Sequence, residues 1–325
     1  MKILFNACFL ISMIFSHRVS AQDFDIVVAK DGSGDFKTIQ EAFNSIPDFR
    51  KNITRIHLKP GTYKEKLTLA ATKTNVHLIG DNAEETVVTY DDFASKKNSF
   101  GEELGTTGSS SFFVFGDNFY AKNITFENSS GPVGQAVAVR VDGDKVFFEN
   151  CRFLGFQDTL YVHGKDSRQY YKNCYIEGTT DFIFGWSTAV FEDCEIYSKE
   201  GGHYITAAST DKRSLHGLVF INCKLTGNAP ENSVYLGRPW REYAQTVFIN
   251  CELGAHIKAE GWHNWDKPEA EENCFYAEYR SVGPGAAPDE RVLWSWQLTS
   301  DIGEAYTTLN ILKGDDEWEP LSFVE

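Results

Sequence analysis

After its first 21 residues the chain has no stretch approaching the 18 consecutive apolar residues that a membrane-spanning helix requires, so no span is expected. It also lacks Gly-x-Ser-x-Gly. Gly185-Trp186-Ser187-Thr188-Ala189 only approaches it, which argues against a serine nucleophile on a strand-to-helix elbow. The eight histidines are scattered without a His-x-x-x-His pair, and no metal site is expected from them. Nor is there the cluster of acids that a calcium-assisted lyase would use. Cations are scarce, 31 Lys and Arg against 46 Asp and Glu, for a formal charge of −15. Nucleic acid is therefore excluded as a partner, and a neutral region of an anionic polymer becomes an easier substrate than a charged one.

What is present begins with a leader. Lys2, an apolar run from Ile3 to Phe15 broken only by Asn6 and Ser12, and Val19-Ser20-Ala21 before Gln22 together form an export signal over residues 1–21. Its removal leaves 29 basic residues against 46 acidic ones, a charge of −17. Cys8 lies inside the apolar run, which argues against a lipid-anchored terminus. The mature chain, 22–325, reads as one domain in the periplasm or outside the cell.

An Asn/Asp-Cys step ends a series of β-rich runs: Val146 to Cys151, Tyr170 to Cys174, Val190 to Cys194, Val219 to Cys223 and Val247 to Cys251. Tyr120 to Ile124 precedes them with Ile in the Cys slot, and Glu271-Glu272-Asn273-Cys274 follows. The intervals from Asn123 to Asn273 are 27, 23, 20, 29, 28 and 23 residues, short of the ~40 to 45 of a propeller blade. No sustained helical pattern lies between them, which excludes a helical or leucine-rich solenoid. Alternation such as Val219, Ile221 and Cys223 against Phe220, Asn222 and Lys224 predicts strands, so the expected fold is all-β, a parallel β-helix with one coil per repeat. The six cysteines of the mature chain are expected to form one buried column of free thiols, although coils spaced by about 4.8 Å leave room for one disulfide.

Short helices are expected to cap the solenoid. Thr38-Ile39-Gln40-Glu41 is a capping box opening a helix through Phe43, and a second helix around Glu304 to Leu312 would cover or flank the other end. The turn Asp31-Gly32-Ser33-Gly34-Asp35 lacks the Lys and Ser/Thr of a phosphate loop. Asn52, Asn123 and Asn128 begin glycosylation triplets that chance alone would supply.

The chemistry concentrates in two segments, Gly155 to Tyr161 and Asp181 to Gly185, each placing an aspartate among apolar residues. Asp158 and Asp181 both lie eight residues past their repeat anchors, which stacks them roughly 5 Å apart on consecutive coils. Two carboxylates that close do not both ionise easily. One pKa is expected to rise and the other to fall, pairing a protonated acid with an ionised nucleophile or base. Gln135 and Gln157, 22 residues apart, are placed to donate to a developing oxyanion, provided a bend turns Gln157 and Asp158 to the same side. Arg238 lies 57 residues after Asp181, two coils on, within reach of it. A two-aspartate glycoside hydrolase stays open on this geometry, at separations of about 5 to 5.5 Å for retention or 6.5 to 9.5 Å for inversion.

Gln135 to Arg140, Gly155 to Tyr161, Asp181 to Gly185 and Leu236 to Trp240 resemble, in order and spacing, the motifs of the pectin methylesterases. Gly61 to Glu65 and Gly261 to Trp265 resemble that family's flanking motifs. The resemblance implies a right-handed, single-stranded parallel β-helix and hydrolysis of galacturonate methyl esters in pectin with release of methanol. It implies Asp181 as nucleophile, Asp158 as acid and then base, Gln135 and Gln157 as oxyanion donors, and Arg238 holding Asp181. Tyr161, Phe184, Trp240, Tyr243, Trp262 and Trp265 match substrate-site positions. Phe156 stands where the family often has Tyr, and Val139 where it often has Leu. No cofactor or metal is expected, and the enzyme is expected to be a monomer. The alternative is a related ester or thioester hydrolase or, further off, a polysaccharide depolymerase on the same fold.

Overall fold

The strands cannot run on because each repeat ends at a residue forced into the left-handed region: Asn123 (φ 58°), Asn150 (51°), Asn173 (52°), Asp193 (55°), Asn222 (54°) and Asn250 (53°). Asn and Asp tolerate this conformation better than other non-glycine residues, which is why these six anchors are all one of the two. In the computed structural model, which describes residues 24–322, these corners fold the chain into three parallel sheets of 11, 8 and 7 strands. Each full coil gives one strand to each sheet, a parallel β-helix.

The 11-stranded sheet carries Val146–Glu149, Arg168–Lys172, Thr188–Glu192, Leu218–Ile221 and Gln245–Ile249 in successive coils. Its register aligns Phe148, Tyr171, Phe191, Phe220 and Phe248, whose rings stack inside the coil at centroid spacings of 5.3, 4.7, 4.6 and 4.5 Å. These separations suit offset aromatic stacking, worth about 1 kcal/mol per pair beyond burial. The alternation expected at Val219 to Lys224 is broken. Phe220 and Cys223 both point inward, while Val219 and Ile221 face outward into a second apolar layer, because the left-handed corner at Asn222 resets the parity.

The cysteine column holds five thiols, not six. Cys151, Cys174, Cys194, Cys223 and Cys251 follow the corners, each sulfur donating to a carbonyl of the preceding coil at 3.3–3.6 Å, with Ile124 in the same slot above them. Cys274 instead ends the helix Pro268–Asn273 ahead of the strand Phe275–Tyr279. Because Ile249 pairs with Tyr279, the corner of that coil is Arg280, at φ 51°, and Asn273 is not an anchor. All six thiols are free and buried.

The first helix, Ile39–Ser45, buries Ile39, Ala42 and Phe43 over the start of the coil. Thr38 caps it by accepting from the Glu41 N–H at 3.2 Å, and Glu65 completes the cap by accepting from the N–H groups of Ile39 and Gln40. The predicted C-terminal helix is two short ones, Ser300–Gly303 and Thr308–Leu312. The second flanks the coil, where Ile311, Leu312 and Trp318 cover the outer face of the longest sheet at Phe147, Tyr170 and Val190. The leader lies outside the described residues. Among those described, no helix is long and apolar enough to cross a membrane.

Six buried, unpaired thiols have a direct readout. A thiol reagent should label essentially none of them in the folded mature protein and all six after denaturation without reductant; fewer than six in denaturant would reveal a disulfide.

Candidate active site

The 7-stranded sheet presents the chemistry on its outer face. Its strands Val139–Val141, Leu160–Val162, Thr180–Gly185, Tyr204–Ala208 and Tyr235–Pro239 are neighbours in that order. Their register aligns Arg140, Tyr161, Phe184, Ala207 and Arg238 in one rank across five coils. Just before this rank, at the entry to the strands, lie the two aspartates.

Both aspartates owe their aim to local backbone distortion. Asp158 has φ 66° and Asp181 φ 51°, and the pairing with Tyr204–Ala208 slips between Thr180 and Ile183, a bulge that takes up one extra residue at Asp181-Phe182. Bulges and left-handed residues re-aim side chains next to functional sites. The same distortion at Asp158 is the bend that lets Gln157 and Asp158 serve one cleft. Thr159 pins it, its hydroxyl donating to the Glu177 carbonyl at 2.9 Å. Gly178 leaves room for the bulge at Asp181-Phe182, since a Cβ there would lie 2.2 Å from Cβ of Phe182.

The carboxylates differ in their partners. Asp181, 6% exposed, accepts a bidentate pair from Arg238, Nε to Oδ1 at 2.9 Å and Nη2 to Oδ2 at 2.6 Å. Asp158, 7% exposed, accepts no hydrogen bond from any described residue. Burial first, and the charge of Asp181 second, hold the Asp158 pKa well above the usual carboxylate range. Burial also raises Asp181, contrary to the expectation that one of the two would fall, because desolvation outweighs the opposing pull of Arg238. The ranking survives: the guanidinium stabilises only the ionised form of Asp181, so the last proton of the pair stays on Asp158.

Arg238 is fixed from both sides. Its Cζ lies 4.0 Å from the ring centre of Tyr204 and 3.6 Å from that of Trp265. It crosses the strand between itself and Asp181 at Ala207, whose methyl side chain leaves the path open. Trp240 does not carry this guanidinium. Its ring sits 6.1 Å from Tyr161 and 5.9 Å from Phe184, which stack on each other at 4.2 Å.

The resulting cleft, about 480 Å³, is lined by Gln135, Gln157, Asp158, Tyr161, Asp181, Phe184, Arg238, Trp240 and Trp265. Gln135 and Gln157 pair as a parallel bridge, and their side-chain amides have no hydrogen-bond partner among the described residues. Two sequence-predicted residues lie elsewhere. Trp262 is 1% exposed inside the coil, stacked 4.4 Å from Tyr276, because it pairs with Gly237 on the interior side. Tyr243 stands outside the cleft lining, with the Lys212 ammonium 5.0 Å from its ring centre. Sequence reasoning missed Gly105, Thr106, Thr107 and Ala207 in the lining and Tyr204 beneath Arg238. Ala207 and Tyr204 were accessible through the strand register; the Gly105–Gly108 turn belongs to a long loop with no repeat signal. A larger cavity of about 620 Å³ lies beneath the C-terminal segment, but it contains no paired carboxylates of this kind.

A sequence model of the family described as Pectinesterase matches residues 25–315. Pectinesterase 31 of Arabidopsis thaliana is 42% identical over 279 residues, covering 84% of this chain and 87% of its own length. The chain spans about half, 46%, of the longer Pectinesterase 5 of the same plant. Among solved structures, pectin methylesterase from carrot superposes with a TM-score of 0.85 at 34% identity, covering 94% of this chain and 98% of its own. A pectin methylesterase crystallised with a hexasaccharide gives 0.79 at 32% identity, over 92% and 99%. The chain described here belongs to the pectinesterase family.

Proposed function

We propose that the chain hydrolyses galacturonate methyl esters of pectin, yielding a carboxylate and methanol, with Asp181 as nucleophile. The observation that carries the reading is the asymmetric pair: Asp181 clamped by Arg238 at 2.9 and 2.6 Å, Asp158 unclamped with its pKa pushed well up by burial and by the charge of Asp181, both in one cleft with two free glutamine amides. Ionised Asp181 attacks the ester carbonyl carbon. The amides of Gln135 and Gln157 donate to the oxyanion as it forms. Asp158 gives its proton to the departing methoxy oxygen, and methanol leaves an anhydride between substrate and Asp181. Asp158, now ionised, takes a proton from water, whose oxygen attacks the anhydride and releases Asp181 as carboxylate. Tyr161, Phe184 and Trp240 offer apolar faces to the sugar rings. The amide pair and the clamp favour acyl transfer over glycoside cleavage, which needs neither. The leader over residues 1–21 supports action after export, with the mature chain working as one catalytic unit and as a monomer.

Methanol release from highly methylated pectin, with viscosity followed in the same sample, tests the activity: methanol without loss of viscosity is expected, and falling viscosity without methanol would point to a depolymerase. Asp181→Asn should lose about 10³-fold or more in kcat with its circular dichroism unchanged, and a fully active variant would remove Asp181 from the nucleophile role. Gln157→Ala should lose about 10²-fold.

The pKa directions set the pH profile. Activity needs Asp181 ionised and Asp158 protonated, so it falls as pH drops through the first pKa and again as pH rises through the second. Arg238→Lys weakens the clamp, raises the Asp181 pKa further and should move the acid limb of kcat/KM to higher pH; an unmoved limb would separate Arg238 from Asp181 ionisation. Asp158 must take up a proton on folding above its unfolded pKa, which costs stability increasingly as pH rises toward the folded value. Asp158→Asn removes that cost, so its Tm at pH 7 should exceed that of the parent while its activity is lost.

A further inference from the structure

The arginine clamp has a support of its own outside the reacting groups. Arg238 lies between the rings of Tyr204 and Trp265, which come from different coils. Both reach one atom. The Trp265 N–H donates to Nδ1 of His263 at 3.2 Å, and the Tyr204 hydroxyl contacts the same nitrogen at 3.4 Å. A ring nitrogen that accepts an N–H carries no proton, so the imidazole proton sits on Nε2 and the Nδ1 lone pair is left for the two donors. His57 and His163 pair with carboxylates, Asp81 at 2.8 Å and Asp142 at 2.6 Å, whereas His263 has no carboxylate partner among the described residues. Its ring serves as an acceptor.

Register puts His263 in this place. Trp262 bridges to Gly237, and the His263 N–H donates to the Gly237 carbonyl at 3.2 Å, so His263 runs beside the strand that carries Arg238. Trp262 points inward; His263, next along, takes the outer face, where its ring centre lies 5.7 Å from that of Tyr204 and 5.3 Å from that of Tyr235. Just past it the backbone is strained. Trp265 has φ 57° and Asp266 φ 55°, a region that a bulky residue rarely enters and keeps only where its surroundings over-determine it. His263 Nδ1 holds the first of the two. Asn264 holds the second, accepting from the Asp266 N–H at 2.9 Å while its own amide donates to Glu271 of the helix Pro268–Asn273 at 2.6 Å. The charges around the imidazole are engaged elsewhere. Arg238 is bound to Asp181. The Lys267 ammonium lies 4.4 Å from the Trp265 ring centre and donates to the carbonyls of Pro239 and Trp240 at 2.9 and 3.0 Å. The Lys258 ammonium lies 5.0 Å from the Tyr235 ring centre, and the charge of Glu260 reaches the same tyrosine.

We propose that His263 is a positioning residue for the reaction: its unprotonated Nδ1 fixes the two rings between which Arg238 lies, and through them the aim of the guanidinium at Asp181. The inference rests on the methylesterase reading and adds a residue that touches neither the substrate nor the reacting atoms. A guanidinium free to tilt between its rings gives up part of a bidentate geometry. Asp181 then loses stabilisation of its ionised form, and the nucleophile is populated only at higher pH.

The test compares His263→Leu, which removes the acceptor and keeps similar bulk, with His263→Asn, whose Oδ1 can stand close to the Nδ1 position. Methanol release from highly methylated pectin is followed against pH. The leucine variant should lose about tenfold in kcat with KM little changed. Its acid limb of kcat/KM should move upward by about half a pH unit, and asparagine should restore both. A merely structural role would lower the melting temperature and leave the limb in place. A leucine variant whose limb stays with the parent's or moves to lower pH overturns the proposal, as does an asparagine variant impaired as much as leucine. Should the leucine variant not fold, Tyr204→Phe replaces it, since it removes the hydroxyl that shares Nδ1 and keeps the ring against Arg238. Its acid limb must move the same way, and an unmoved limb is decisive against His263. If the parent releases no methanol, the methylesterase reading fails instead. The positioning role is then read from the carboxyl titration of Asp181 by nuclear magnetic resonance, whose midpoint must lie higher in the leucine variant than in the parent; equal midpoints overturn it.

Discussion

Everything in this molecule hangs on a residue after the longest sheet's strand in each repeat adopting a left-handed backbone conformation, which costs an ordinary L-residue roughly 1–2 kcal/mol and Asn or Asp less. Each such corner turns the chain between two sheets and returns it in register, so that a side chain is positioned by its coil number and its place in the strand. Parallel ladders then carry the register onward, and Arg140, Tyr161, Phe184, Ala207 and Arg238 come into one rank although 98 residues separate the first from the last. The same backbone device appears at Asp158 and Asp181, where it aims carboxylates instead of turning corners.

The cleft opposes the economy of the rest of the fold. Inside the coil, aromatic and aliphatic ladders stack with little polar content; on the outer face of the third sheet, two carboxylates are held almost out of water. An unpaired buried charge is expensive, and the structure meets the cost unequally. Arg238 compensates one carboxylate completely in geometry, while burial and the neighbouring charge push the pKa of the other well up. That inequality makes two identical side chains chemically distinct, and it depends on the packing of Tyr204 and Trp265 against a single guanidinium.

Much of this was legible in the sequence because the repeat is a ruler. The equal offsets of Asp158 and Asp181 from their anchors predict stacking on consecutive coils, and the requirement for a bend at Asp158 follows from strand geometry alone; the positive φ there supplies it. Legibility failed where the ruler changes. Cys274 looks like one more anchor cysteine, yet a helix inserted before the strand displaces it and gives the corner to Arg280. Trp262 looks like a cleft aromatic, but which face of a strand a residue occupies depends on a parity that each corner resets. The Gly105–Gly108 turn reaches the cleft from a loop whose path is set by tertiary contacts, such as the Lys66 ammonium donating to the Gly108 carbonyl, and not by any periodic pattern.

The clamp also has a direction along the chain. Asp158 and Asp181 are in place once the coils through Gly185 have wound, whereas Arg238 arrives two coils later and Trp265 later still. A chain that emerges from its N-terminal end therefore exposes both acids before the arginine that pairs with one of them. At that stage neither carboxylate has the guanidinium that later pairs with Asp181. The clamp is in this sense contributed by the last third of the solenoid to a centre whose carboxylates belong to the middle third.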